Sequence, residues 1–238
     1  MTPEEVGLST LEHLSECEAL NSWMYQTIRP YVKGNVLEIG SGIGNISEQF
    51  VKDGYPIYLS DYSPAYCRSL RRRFAAEPLV KDVITLDLAD PNLEENHPDL
   101  IGAFNTIFAL NVVEHIKDHE RAILNCRKML APKGNVIILV PSYPALYNIL
   151  DLKLEHFRRY STGSLRRLLS PDFVVTRMQH FNLAGIAGWV WSGGLMKKPT
   201  LPAGPLKLYN NLVPLFKVVD DLTLHQVGLS VIGVGRKR

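Results

Sequence analysis

The chain has 238 residues, 46% hydrophobic and 21% charged, with a formal net charge of +2. That balance fits one large globular domain that buries a core without disulfides or metal. So small a net charge argues against nucleic acid as the main partner. The widely separated Cys17, Cys67 and Cys126 form neither a disulfide framework nor a metal cluster, and read as reduced thiols of a cytoplasmic protein.

In chain order, a helical segment from about Thr10 to Tyr31 comes first. Early acids at Glu4 and Glu5, with no apolar block, exclude a signal peptide. The first strand, Asn35–Ile39, is an apolar run that ends in glycines at alternate positions, Gly40, Gly42 and Gly44. A helix over Asn45–Lys52 follows, with Ile46 and Phe50 at helical spacing. The second strand, Pro56–Ser60, runs into Asp61 and Tyr62. Ser63 and Pro64 then read as the N-cap and first position of a helix to Ala76. Arg68, Arg71, Arg72 and Arg73 on that helix read as a solvated face.

The third strand, Val83–Leu88, carries Asp87 and Leu88 at its end, and the fourth, Asn105–Leu110, runs into Asn111 and Val112. Asp118 caps a helix to Leu130 that Pro132 and Gly134 terminate. The fifth strand is Val136–Val140. A long irregular region, Pro141 to Ser170, then precedes strands at Phe173–His180 and Leu229–Gly235. The uncharged stretch Phe181 to Met196 falls short of the roughly 20 residues that span a bilayer. A Gly- and Pro-rich region, Gly193 to Pro205, leads into the last helix. The alternation predicts an α/β fold, a doubly wound and mostly parallel sheet with helices on both faces. We read residues 1–238 as one domain. Residues 1–33 form a helical extension, 34–140 a cofactor-binding core, 141–227 an insertion with later helices, and 228–238 the final strand.

The glycine turn forms a ligand cradle, because a backbone without Cβ atoms admits close approach. A dinucleotide fingerprint requires Gly-x-Gly-x-x-Gly. Here the third glycine arrives one place early, and Asn45 stands where a glycine or alanine is needed. Glu38, two residues before Gly40, suits a ligand bearing an ammonium group. Asp61 suits ribose hydroxyls, and could otherwise be a helix N-terminal acid. Asp87 suits an adenine amino group with Leu88 against the ring, and could otherwise cap the loop before Asp90-Pro91.

The ordered set Glu38-x-Gly40-x-Gly42-x-Gly44, Asp61, Asp87, Phe108-to-Ile116 and Leu130-Ala131-Pro132-Lys133-Gly134 resembles class I S-adenosylmethionine-dependent methyltransferases of the small-molecule type. The resemblance is close over Asn35 to Val140. It implies a seven-stranded sheet whose last strand, Leu229 to Gly235, lies antiparallel beside Val136–Val140. It implies S-adenosylmethionine as cofactor, held by Glu38, Gly40, Ser41, Gly42, Gly44, Asp61, Tyr62, Asp87, Leu88, Asn111 and Val112. Glu114 and His115 stand where members that methylate catechol-like oxygens on quinone precursors hold a metal with acids and a histidine. Asn111 replaces one such acid, and a Glu-His pair alone falls short of three or four ligands, so no metal is predicted. His115 then reads as a cofactor-pocket residue or a base.

The acceptor belongs at the carboxyl ends of the strands, near Pro141 to Tyr160. If that segment is helical, His156, Arg159 and Tyr160 share one face, with Asp151 a turn or more earlier. His156 is the first candidate for a base, with Tyr160 and His115 as further catalytic candidates. Tyr143 and Arg159 are candidates for holding the acceptor. Where methyltransferases acting on adenine or glutamine amino groups have Pro-Pro-Tyr or Pro-Pro-Phe after an Asn or Asp, this chain has Val112-Val113-Glu114. The chain also contains no Pro-Cys pair for attack on cytosine carbon. A small-molecule or lipid-linked acceptor remains. Trp189, Trp191, Tyr209 and Phe216 could wall its pocket, form core, pair two copies, or face a membrane peripherally around Ala187–Leu195. Rival readings are an NAD-dependent oxidoreductase and a cofactor-binding protein without turnover.

Overall fold

The computed structural model describes residues 3–195 and 203–238. The elements are α1 (Pro3–Ser15), α2 (Glu18–Ile28), β1 (Val36–Ile39), α3 (Ser47–Lys52), β2 (Ile57–Asp61), α4 (Pro64–Arg73) and β3 (Val80–Thr85). There follow α5 (Leu93–Asn96), β4 (Phe104–Leu110), α6 (His119–Met129), β5 (Leu130–Pro141), α7 (Ile149–Lys153) and α8 (Thr162–Leu169). The last are β6 (Phe173–Phe181), α9 (Ala184–Trp189), α10 (Ala203–Leu222) and β7 (Ser230–Lys237), with a π-helical turn at Val190–Leu195.

The seven strands form one sheet in the order β3-β2-β1-β4-β5-β7-β6. β7 inserts between β5 and β6 and pairs antiparallel with both, while the pairs among β1 to β5 are parallel. The doubly wound sheet and its antiparallel last strand stand as expected. Alternate residues of the central strands face two separate cores. Val36, Phe108, Ile137 and Ile232 look toward the side of α2, α3 and α4. Leu37, Ile107, Ile138 and Val231 look toward the side of α6 and α8. Both faces are buried, which is why these strands read as nearly continuous apolar runs.

Four expectations are corrected. The N-terminal helical segment is two helices, because the Cys17 N–H closes back onto the Leu14 carbonyl at 3.0 Å and turns the chain. The helix after the glycines starts at Ser47, because the turn extends through Ile46 and the Asn45 amide donates to the Leu11 carbonyl at 3.0 Å instead of capping. β3 lies about three residues upstream of its predicted place. It is the edge strand, and its exposed Lys81 and Asp82 hide it from a search for apolar runs. Asp151 to Tyr160 is not one helix: α7 stops at Lys153, and Glu155 takes a left-handed φ of 58°. The predicted caps at Ser63 and Asp118 form, each accepting a backbone N–H three residues on.

Part of the Gly- and Pro-rich region, residues 196–202, lies outside the described residues. The three cysteines are buried and unpaired. Among the described residues, no helix is long and apolar enough to cross a membrane.

Phe50 of α3 stacks on Phe108 of β4 with ring centroids 5.1 Å apart and planes 5° apart, and both are fully buried. This pair seats the helix that leaves the glycine turn. Phe108→Ala is expected to cost about 3–5 kcal/mol of unfolding free energy. Urea denaturation checks it, and a loss below about 1 kcal/mol would show that the stack does not hold α3.

Candidate active site

β1 lies between β2 and β4, so the chain leaves it in opposite directions and opens a crevice at its carboxyl end. Gly40, Gly42 and Gly44 occupy that point with φ values of 68°, 56° and 89°. A Cβ on Gly40 would stand 2.4 Å from Val112 Cγ2, and one on Gly44 would stand 2.7 Å from the Phe74 ring. Glycine is therefore required there by both backbone and space. The Gly40–Val112 approach brings the turn against the segment after β4.

Two acids brace the turn. Asp61 accepts the Gly42 N–H at Oδ2 (2.8 Å) and the Ser63 N–H at Oδ1 (2.9 Å). Burial raises its pKa above the ordinary value despite those bonds. Each oxygen keeps acceptor capacity for a ligand hydroxyl. Glu38 is buried, with the Ser47 hydroxyl donating to its Oε2 and the Ser41 hydroxyl also bonded to its carboxyl. Burial pushes its pKa up to about 7. Ser41 is also tied to β2: its N–H donates to the Ser60 carbonyl at 2.8 Å and its Oγ accepts the Ser60 N–H at 3.2 Å.

Asp87 lies two residues beyond β3 and is exposed, with Oδ1 accepting the Ala89 N–H at 2.8 Å. It thus shapes its own loop. Leu88 is buried in the cluster of Leu86 and Leu93. Tyr62 is 74% exposed. Asn111 takes a φ of 56°, a left-handed position that asparagine tolerates.

The insertion is organised by Asp151. Its Oδ1 accepts His156 Nδ1–H and Arg159 Nε–H, both at 2.8 Å, and its Oδ2 accepts the Asn148 N–H at 2.9 Å. Burial opposes the charge, but His156 and Arg159 outweigh it and hold the carboxyl below its ordinary pKa. Arg159 is itself buried. It donates to the Ser142 carbonyl at 3.0 Å and lies 4.6 Å from the Trp189 ring centroid. Burial lowers its pKa, against the pull of Asp151.

The insertion clamps onto the segment after β4. The Phe157 N–H donates to the Glu114 carbonyl at 2.9 Å, and Arg158 donates to the carbonyls of Ile116 and Lys117 at 2.7 and 2.9 Å. This sets the His115 and His156 rings edge to face, 4.6 Å apart at 85°. Close surroundings and the neighbouring His156 lower the His115 pKa. Glu114 is wholly buried.

Tyr160 is brought elsewhere. It is buried, forms a bridge with Ser142, and its hydroxyl lies 2.7 Å from His119 Nδ1. Burial pushes its pKa up to about 12. It does not share a face with His156. Tyr143, at φ 57°, stacks on His180 at 5.1 Å. Of the C-terminal aromatics, Tyr209 and Phe216 pack against the core with α2 and Trp189 covers Arg159, while Trp191 is 62% exposed. Sequence reading missed Ser47 as the partner of Glu38, although a hydroxyl in the first turn after a strand-to-helix reversal is a usable signal. Nothing local marks Ser142 or Trp189 as partners of Arg159.

A family model described as a methyltransferase domain matches residues 37–136. Over those residues the chain is similar to a methyltransferase domain. It is 27% identical over 113 residues to a lovastatin diketide synthase of Aspergillus terreus, covering 45% of this chain and 4% of that protein. It is 26% identical over 148 residues to a ubiquinone biosynthesis O-methyltransferase of Caulobacter sp., covering 60% of this chain and 56% of that one. The methyltransferase match thus spans only part of these relatives. In fold, it resembles a Pyrococcus horikoshii protein (TM-score 0.61, 13% identity, 100% and 97% of the two chains). It also resembles a Haemonchus contortus phosphoethanolamine N-methyltransferase 2 solved with S-adenosyl-L-methionine (TM-score 0.57, 16% identity, 90% and 52%). The crevice offers a ligand the carboxyl groups of Glu38 and Asp61 and a close backbone approach at Gly40, a lining that suits the sulfonium cofactor the sequence resemblance implies.

The raised pKa of Glu38 has a consequence for stability. The folded chain holds its proton up to about pH 7, whereas an unfolded glutamate loses it near pH 4.3. Between those values the folded state binds more protons, so stability falls as pH rises. In the cofactor-free protein the thermal midpoint is expected to decline from pH 5 to 8, and Glu38→Gln to make that decline shallower. Differential scanning calorimetry across that range checks it. An unchanged slope in the variant would contradict the assignment.

Proposed function

We propose that this chain transfers the methyl group of S-adenosylmethionine to a hydroxyl of a small or lipid-linked acceptor. The observation that carries this reading is the Asp151–His156 pair, buried in the insertion and clamped onto the segment whose Val112 touches Gly40. In the reaction an acceptor oxygen attacks the sulfonium methyl carbon in line. The carbon–sulfur bond breaks, sulfur keeps the electron pair as a neutral thioether, and the acceptor's proton is lost. The donor is already activated, so the protein mainly aligns the two partners. A hydroxyl must also shed its proton, which favours a site able to promote that step.

Glu38, Ser41, the glycines, Asp61, Tyr62, Asp87, Leu88, Asn111 and Val112 form the cofactor side of this reading. His156 and His115 border the acceptor, with Arg159 and Tyr143 shaping its wall. Tyr160 supports the wall from behind through His119. Exposed Phe157 (55%), Leu152 (61%) and Trp191 (62%) support an acceptor with an apolar portion, or peripheral contact with a membrane. The unpaired cysteines support a cytoplasmic setting.

Isothermal titration with S-adenosylmethionine and with NAD tests the cofactor. Binding of NAD without S-adenosylmethionine would sink the proposal in favour of an oxidoreductase. His156→Ala is expected to retain cofactor affinity within about twofold and to lose about 100-fold or more in turnover, in line with removal of a group on which proton loss depends. Unchanged turnover would remove His156 from the mechanism.

A further inference from the structure

α10 carries apolar residues on two opposite faces. Its inner face is fixed by the core. Val213 is buried, and Leu206, Tyr209 and Phe216 pack against the cluster that includes α2. The Asn210 side chain accepts the Leu20 N–H at 3.2 Å, and Lys217 donates to Gln26 Oε1 at 2.8 Å. Buried Asp220 accepts the Asn182 and Leu183 N–H groups at 2.6 and 2.9 Å. These contacts determine which side of the helix faces outward. That side presents Leu208, Leu212, Leu215, Val218 and Leu222, which are 39% to 79% exposed. Scattered apolar residues are normal on a surface, but a continuous row along one helix marks a contact face. Leu208, Leu215 and Leu222 recur at every seventh position with Leu212 and Val218 between them, the spacing of a helix-pairing seam.

We infer that this seam joins two copies of the chain, with their α10 helices antiparallel across a two-fold axis. The charges beside the seam select this occupant and this direction. Lys207 and Asp221, both exposed, flank the same edge of the seam at opposite ends, with Pro214 midway between them. Antiparallel pairing sets that edge against the same edge of the other copy. Each Lys207 then meets the partner's Asp221, and the residue that meets its own copy near the axis is the uncharged Pro214. In the same register Leu208 faces Val218 and Leu212 faces its own copy. A parallel pair would instead set the Lys207 edge against the edge of Leu212 and Val219, which carries no charge. Within the chain Lys207 already lies 3.1 Å from Glu16, and Asp221 3.2 Å from His225, at the surface. The charge pairs between copies therefore set direction and add little affinity. A lipid surface is the poorer occupant. A helix lying on a membrane has basic residues along its polar face, whereas here that face carries Asp221, and Glu16 offsets Lys207.

The inference does not depend on methyl transfer. Sedimentation velocity of the full-length protein from about 1 to 200 µM is expected to show monomer giving way to dimer, with Kd on the order of 10 µM, because one helix pair buries less than a permanent interface. Leu212→Glu and Leu215→Glu should each weaken association by about tenfold or more. Neither side chain is part of the core, so the thermal midpoint of the dilute monomer should stay within about 2 °C. Lys207→Glu or Asp221→Lys alone should weaken association about fivefold, and the double variant should restore it to within about twofold. A chain that stays monomeric throughout overturns the inference, and flotation with phosphatidylglycerol–phosphatidylethanolamine vesicles that Leu215→Glu abolishes would then assign the face to a membrane. A dimer unchanged by Leu212→Glu and Leu215→Glu overturns the seam. A dimer that these variants disrupt, but that the double charge exchange does not restore, overturns the antiparallel direction.

Discussion

One buried carboxylate decides the shape of the insertion that closes over the segment after β4. Asp151 takes the Asn148 N–H, His156 Nδ1–H and Arg159 Nε–H, and so converts an irregular segment into a fixed wall. Arg159 passes that constraint to the Ser142 carbonyl at the end of β5 and to the Trp189 ring. An arginine buried this deeply is tolerated because its partner is charged and its remaining donors and face are occupied. Removing either member would strand the other without solvent. The insertion is thus held by a polar core of its own, beside the apolar cores that flank the sheet.

The sheet order supplies the other half of the site. Because β1 sits between β2 and β4, the glycine turn, the Asp61 loop and the segment after β4 all emerge at one edge. Asp61 and Glu38 secure the turn from behind through backbone N–H groups and serine hydroxyls, and Val112 presses on it from the front. The insertion then closes over the segment after β4. Two regions separated along the chain by α6 and β5 meet there by direct hydrogen bonds.

Much of this was legible in the amino-acid order. The three alternate glycines, Asp61 after an apolar run, and the Ser63-Pro64 and Asp118 caps are local signals with local causes, and each forms as read. The doubly wound sheet followed from alternation of buried runs and capped helices. β3 was misplaced because an edge strand half in water carries charges such as Lys81 and Asp82 and does not look apolar. The insertion was read as irregular, and the shared face of His156, Arg159 and Tyr160 was conditional on a helix that does not extend past Lys153. The competing cause, capture of His156 and Arg159 by Asp151, pulls the chain into an extended path and turns Tyr160 toward His119. Spacing cannot reveal a bond whose geometry depends on where a chain reversal falls. For the same reason, the closeness of His156 to Glu114 and His115 lies outside what adjacency in sequence can show.

The place of β7 bears on how the chain is made. β5 is complete at Pro141, yet the strand that covers its edge begins at Ser230. β6 is made before β7 and pairs with it. Throughout synthesis of the intervening residues, the parallel half of the sheet therefore presents an open edge of unpaired N–H and C=O groups. Such an edge is a template for pairing with other nascent chains. The architecture makes the β5–β7 pairing a long-range closing step, the kind of contact whose formation carries the largest loop-closure cost.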